Sequence, residues 1–178
     1  MPSRGFEGKS DLRRLILLFL IATLSPAANA PQTAYTPLWL YNGVWEITRK
    51  DNSQPEELVN ECALIGLYFA CQETVNGAPA ELLIIVPAKT PGKYLTQNVN
   101  PQGRAGGRGD LEITGDKWVF SSTWDAGGRT VYYRTTNTFT GKDRIHFEQA
   151  ESGNNRDWTV KMSGDQVRAA KPGRKAAR

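Results

Sequence analysis

His146 is the only histidine in the chain, and it lies three residues after Asp143 and two before Glu148. A histidine beside carboxylates can act as a general acid or base near neutral pH, which is the chemistry of an isomerase or a hydrolase. No Gly-x-Ser-x-Gly, His-Glu-x-x-His or phosphate-loop motif accompanies it. One histidine and two cysteines also make a poor set of metal ligands. These residues predict no metal and no cofactor, and an enzyme using His146 and Glu148 is the less favoured hypothesis.

Cys62 and Cys71 lie on either side of Gly66-Leu67, a dipeptide that suits a tight turn between two strands. A two-residue turn at this point pairs Ile65 with Tyr68 and, three residues further along each strand, Cys62 with Cys71. Directly opposed cysteines of antiparallel strands are close enough to form a disulfide. We therefore predict a structural disulfide across this hairpin in an oxidising compartment.

The start of the chain predicts such a compartment. Two arginines precede the apolar run 15–24, which leads into small residues, and this is the pattern of a secretory signal peptide over residues 1–30. Cleavage follows Ala27 or Ala30, and Pro31 hinders the second position. The apolar run is about half the ~20 residues that a spanning helix needs. We predict an exported protein, periplasmic or extracellular, with no integral membrane span.

The basic net charge of +4 comes from the two ends of the chain. Residues 31–167, predicted to form a single domain, carry 13 basic and 16 acidic side chains. An acidic body is a poor nucleic-acid binder, because Lys and Arg contacts with phosphates dominate that affinity, so we predict no nucleic-acid partner. Residues 168–178 contain five basic and no acidic groups and are predicted to be a disordered tail. Contact between this tail and an anionic envelope surface is an alternative.

Short runs rich in β-branched and aromatic residues, separated by turn residues, fill the predicted domain. Glycine-containing turns such as Asn76-Gly77, Gly115-Asp116 and Gly127-Gly128 predict that consecutive strands are joined as hairpins. The fold class is therefore all-β, an antiparallel up-and-down meander closing into a barrel of about 8–10 strands. The predicted strands are 44–49, 58–65, 68–75, 82–86, 94–99, 111–114, 117–124, 130–139, 144–150 and 158–162.

Gly43-Val44-Trp45, on the first predicted strand, resembles the Gly-x-Trp motif of the lipocalins. The whole mature chain resembles the uncharacterised bacterial lipocalin-like, calycin-type secreted families, although the Thr-Asp-Tyr motif of lipocalins is absent. The resemblance implies a lipocalin-like barrel. It also implies that Trp45 closes the barrel base as a structural residue and stacks against an arginine of the last strand, for which Arg156 and Arg168 are the candidates.

Two-residue turns at 115–116 and 127–128 place a set of large aromatic residues on the same face as part of the following strand. This face is apolar and therefore points into the barrel, where it can line a small-ligand site. The residues assigned to this interior site are Trp118, Phe120, Trp124, Tyr133, Asn137, His146 and Glu148.

The direction of His146 depends on the length of the turn before it. A two-residue turn at Gly141-Lys142 directs His146 and Glu148 inward, whereas a three-residue turn over 141–143 directs Ile145 and Phe147 inward instead. Both alternatives are open at the level of the sequence.

Residues 103–109 are rich in glycine and arginine, and no helix follows them, which argues against a phosphate cradle. They are predicted to form a mobile loop at the barrel mouth, with Arg104 and Arg108 as its charged residues. The leading hypothesis is an exported, non-enzymatic, lipocalin-like protein that binds a small apolar or amphipathic molecule. The alternative is an envelope protein-interaction module that grips its partner with mouth loops.

Overall fold

Ten antiparallel strands form a closed barrel in the computed structural model, which describes residues 32–102 and 105–169. Each strand pairs with the next in sequence, and β1 pairs with β10 to complete the ring. The prediction of an all-β meander that closes into a barrel is confirmed. The strands are β1 Gly43–Arg49, β2 Asn52–Ile65, β3 Tyr68–Val75, β4 Ala78–Pro87, β5 Lys93–Val99, β6 Ala105–Thr114, β7 Lys117–Asp125, β8 Thr130–Thr140, β9 Arg144–Ser152 and β10 Thr159–Arg168.

Tight turns fix the register of neighbouring strands. Asn76 and Gly77 both have positive φ, at 50° and 78°, which is the backbone geometry of a two-residue hairpin turn. The predicted turn at Gly66-Leu67 is also present, because Ile65 is paired with Tyr68. The hairpin between β8 and β9 instead pairs Thr140 with Arg144 and leaves a three-residue loop.

Two short 3₁₀ helices, Gln32–Tyr35 and Pro37–Leu40, close one end of the barrel, which we call the base. Leu38 is completely buried there. The hydroxyl of Tyr35 donates a hydrogen bond to the Leu67 carbonyl at 2.7 Å, and that of Tyr94 donates to the Ala34 carbonyl at 2.7 Å. The 3₁₀ segment is therefore attached to the strands by buried apolar contacts and by hydrogen bonds from two tyrosines.

Cys62 and Cys71 form a disulfide between directly paired residues of β2 and β3, as predicted. Their Cα atoms are 4.0 Å apart, and Cys71 is fully buried in the core near the base. A disulfide is compatible with an oxidising compartment outside the cytosol. Within the described residues, no helix has the length and apolar character needed to cross a membrane.

Removing the disulfide by a Cys62→Ala, Cys71→Ala double substitution is expected to destabilise the barrel by about 2.5 kcal/mol. Closing a loop of this length restricts the unfolded chain by about that amount in the chain-entropy model. Chemical denaturation of both proteins measures the difference. Equal midpoints for the two proteins would contradict a structural role for the bridge.

Arg168 is the last residue of β10, paired with Trp45 of β1, so the strand extends one residue past the predicted domain boundary at 167. The backbone N–H of Ala169 still donates to the Val44 carbonyl at 2.9 Å. The predicted signal peptide lies outside the described residues, as do Pro31, Arg104 and the predicted tail from residue 170 onward.

Candidate ligand-binding cavity

A cavity of about 400 Å³ occupies the half of the barrel farther from the base. Its apolar lining comes from inward-facing side chains of seven strands. These are Ile47, Leu58, Val75, Leu83, Phe120, Phe147 and Met162. The polar part of the lining includes Arg49, Glu73, Glu81, Thr96, Asn98, Ser121, Ser122, Tyr133, Thr135, Asn137, Gln149 and Gln166. The barrel interior is therefore hollow and mixed in polarity.

The predicted aromatic face of β7 and β8 is divided between the core and this cavity. Phe120, Tyr133 and Asn137 line the cavity. Trp118 lies below it, 1 % exposed, with its ring stacked on that of Tyr41 at 5.7 Å between centroids. The indole of Trp124 is 53 % exposed at the far end of β7 and is not part of the cavity wall.

His146 and Glu148 lie on the outer face of the barrel, so their assignment to the interior is wrong. The three-residue loop before β9 places Ile145 and Phe147 in the core instead. The Nδ1 atom of His146 is 2.9 Å from Oδ1 of Asp165 on β10, and its Nε2 atom is 4.0 Å from Oε1 of Glu148. These groups are partly exposed to solvent and separated from the cavity, which removes the geometric basis for an interior acid–base pair.

The segment predicted as a mouth loop is instead mostly strand, because β6 begins at Ala105. Gly107 and Gly109 line the cavity, and Arg108 between them is exposed. A Cβ at position 109 would lie 2.6 Å from the Ser121 carbonyl oxygen, so glycine is required where β6 and β7 approach closely. The glycines enlarge the cavity by contributing no side chains to its wall.

Tyr41 and Asn137 form the floor of the cavity. Asn137 Nδ2 donates to the Tyr41 hydroxyl at 3.0 Å, and burial raises the pKa of Tyr41 well above its ordinary value. Asn137 is only 1 % exposed, and its Oδ1 atom has no hydrogen-bond partner among the described residues. A buried acceptor without a donor is costly, and this atom is almost completely inaccessible, so it lowers stability rather than offering a contact to a ligand.

Two glutamates face each other on one wall. A β-bulge between β3 and β4 follows the Val75–Ala78 and Thr74–Pro79 pairs and places Glu73 opposite Glu81. Both side chains line the cavity and are partly buried. The bulge therefore brings two carboxyl groups together inside the barrel.

No cation within the described residues neutralises this pair. Arg49, on the cavity wall, is held by Glu56 at 2.6 Å between Nη2 and Oε2. Glu81 accepts a hydrogen bond from Asn98 Nδ2 at 2.9 Å, whereas Glu73 accepts none from the described residues. Burial, followed by the charge of Glu81, raises the pKa of Glu73 to about 8.

Trp45 and Arg168 form the structural contact at the base that the lipocalin resemblance implied. Trp45 is fully buried, and the guanidinium carbon of Arg168 lies 4.1 Å from the centre of its ring. Arg168 also donates to the carbonyls of Leu40 and Asn42 at 2.8 Å each and to that of Lys142 at 3.0 Å. Arg168, rather than Arg156, is the arginine on Trp45.

Three cavity residues, Tyr41, Glu73 and Glu81, were not among the residues predicted to line the interior. The direction of Glu73 was predictable, because it lies two residues after the inward-facing Cys71 on β3 and so points to the same face of the strand. The direction of Glu81 was not, since simple pairing from the Asn76-Gly77 turn would place Ala80 opposite Glu73. Tyr41 precedes β1 and has no strand periodicity to indicate its direction.

The molecule is thus a closed antiparallel β-barrel with an internal cavity at one end and a plugged base at the other. No protein-family model matches the chain, and no curated protein matches it. Among solved structures it is similar to Rv2717c from M. tuberculosis, with 15 % sequence identity and a TM-score of 0.47. That similarity covers 77 % of this chain and 98 % of the other.

Proposed function

We propose that this protein is an exported, lipocalin-like carrier or sensor that binds a small amphipathic molecule inside the barrel. The observation that carries the proposal is the cavity of about 400 Å³, in which ring and aliphatic side chains alternate with carboxyl and amide groups around the lining. Small-ligand sites generally combine an apolar lining with a few polar groups, in volumes of about 300–1,000 Å³. Tyr41 and Asn137 supply polar groups at the floor, and Phe120 and Phe147 supply apolar surface.

Two further observations support the proposed class and location. The Trp45–Arg168 contact has the form that the resemblance to lipocalins implies. The Cys62–Cys71 disulfide fits export through the predicted signal peptide, because disulfides persist in oxidising compartments. Because His146 lies on the outer face, the residues that line the cavity fit the binding of a small molecule better than they fit acid–base catalysis.

Filling the cavity tests this proposal. A Gly107→Leu substitution is expected to weaken binding of 2-(1-naphthyl)ethanol, an uncharged amphipathic probe, at least about tenfold. A Cβ at position 107 would meet its nearest neighbours at 3.5 and 3.8 Å, which are ordinary contacts, so the new side chain fits the backbone and occupies the cavity. Isothermal titration calorimetry on the full chain measures the affinity.

Arg108→Leu is the matched control, because it adds the same side chain to the neighbouring, exposed position of β6. This variant should bind the probe as the wild type does. Absence of probe binding by the wild-type protein would contradict the proposed function. Equal affinities for the wild-type and Gly107→Leu proteins would contradict the cavity as the site.

A further inference from the structure

We propose that the cavity selects an organic monocation, an amine with an aromatic or aliphatic body, through the facing carboxyl groups of Glu73 and Glu81. This inference rests on the proposed function and specifies the chemical class of its ligand. The two glutamates are paired residues of β3 and β4, and both line the cavity. They are the acidic side chains among the described residues of the cavity lining.

The carboxyl pair receives little hydrogen bonding from its surroundings. Glu73 lines the cavity and receives no hydrogen bond from the described residues. Asn98 supplies a single hydrogen bond, to Glu81. An ammonium group has several N–H donors and no acceptor, so it complements a site with unpaired acceptors.

The charge balance favours the same ligand. Among the described residues, Arg49 is the positively charged residue on the cavity wall, and Glu56 already neutralises it. A ligand carboxylate would therefore enter beside Glu73 and Glu81 with no free cation from the described residues to receive it, which is strongly unfavourable in a partly dehydrated site. A ligand cation would relieve the repulsion between the two carboxyl groups.

The apolar residues of the lining suit the remainder of such a ligand. Phe120 and Tyr133 present aromatic rings to the same cavity, and Met162 and Phe147 complete an apolar surface. Aromatic rings also attract cations through their π faces. The site thus combines a carboxyl pair for the ammonium group with apolar surface for the body.

Charge selectivity can be measured with three naphthyl compounds of similar size. These are 2-(1-naphthyl)ethylamine, 2-(1-naphthyl)ethanol and 1-naphthylacetate, titrated calorimetrically into the full chain. At pH 8 the amine should bind at least about tenfold more tightly than the alcohol, and the acetate more weakly than either. If the alcohol binds as tightly as the amine, the cation inference is overturned while the proposed function stands. If none of the three binds, both fail.

Variants of Glu73 and Glu81 test whether the carboxyl pair causes the preference for the amine over the alcohol. Glu73→Gln and Glu81→Gln should each reduce the preference for the amine over the alcohol to about twofold or less, while the affinity for the alcohol is kept. Glu57→Gln is the matched control, because Glu57 is exposed on the neighbouring strand β2. Unchanged selectivity in both cavity variants would overturn the inference. The ratio of affinities compares two ligands on one folded protein, so a uniform loss of active protein does not alter it.

The pH dependence gives an independent readout. Glu73 shares the cavity with Glu81, Tyr41, Tyr133 and Arg49, the last of which is paired with Glu56, and its pKa of about 8 means that it holds a proton in the free protein at lower pH. Binding a cation expels this proton, so the affinity for the amine should rise about tenfold or more from pH 6 to pH 8. The affinity for the alcohol should not rise. A flat profile for the amine would overturn the role of Glu73.

Discussion

Replacing Arg168 with alanine is expected to lower the free energy of unfolding by about 3 kcal/mol. The guanidinium group stacks on the buried ring of Trp45 and donates hydrogen bonds to three main-chain carbonyls, of which those of Leu40 and Asn42 precede β1. Alanine removes these donors and leaves partly buried carbonyl oxygens without a partner. Because the carbonyls of Leu40 and Asn42 lie at the end of the second 3₁₀ helix, the base of the barrel should open first. Urea denaturation followed by tryptophan fluorescence measures the loss.

Arg134 provides the matched control for this prediction. Its guanidinium carbon lies 4.2 Å from the ring centre of Trp158, yet the described residues show no hydrogen bond from Arg134 to a main-chain carbonyl. Arg134→Ala should therefore destabilise by only about 1 kcal/mol, the typical contribution of a cation–π contact at a partly exposed site. Arg168→Lys should recover only part of the stability, since lysine cannot replace the planar fork of donors. Equal losses for Arg168→Ala and Arg134→Ala would contradict the role assigned to the carbonyl contacts.

A Glu73→Gln substitution is expected to stabilise the protein at pH 8 and to have little effect below about pH 4.5. The pKa of Glu73 is raised from 4.5 to about 8 on folding, because burial and the charge of Glu81 oppose its ionisation. The folded protein therefore binds more protons than the unfolded chain between these values, and wild-type stability falls as the pH rises through this window. The shift corresponds to at most about 5 kcal/mol, and partial solvent access to the cavity reduces this to on the order of 3 kcal/mol.

Denaturation curves from pH 4 to pH 9 measure this effect as the difference in free energy of unfolding between the variant and the wild type. That difference should grow as the pH rises from 4.5 and become constant above about pH 8. Glu57→Gln, at an exposed position of the neighbouring strand, should show no such trend. A constant difference over the whole range would contradict the enclosure of Glu73 in the cavity.

Local turn chemistry explains the parts of the fold that the sequence predicted. The Gly66-Leu67 turn sets a register that holds without interruption from Ile65 to Leu58, so the opposition of Cys62 and Cys71 followed by counting. The same reasoning placed Phe120 and Asn137 on one face, since the turn at 127–128 leads into an unbroken ladder. Where the pairing is regular, the turn determines which residues lie opposite each other along the whole length of both strands.

The predictions of side-chain direction and of the loop at 103–109 failed where the strand pairing is irregular or the turn length is ambiguous. The turn that begins at Gly141 has three residues rather than two, so His146 and Glu148 lie on the outer face of the barrel. At β3 and β4 a bulge shifts the register and directs Glu81 inward. Glycine at position 109 indicated a loop, but it permits the close approach of two strands. None of these features has a local sequence signal strong enough to fix it.

A crystal structure of the protein with 2-(1-naphthyl)ethanol bound tests the central claim, that the barrel interior is a ligand site, most directly. We predict the naphthyl ring between Phe120 and Tyr133, above the floor formed by Tyr41 and Asn137. The use of an uncharged probe keeps this test independent of the charge of the natural ligand. Probe density confined to the outer surface of the barrel, with the cavity holding only water, would contradict the account.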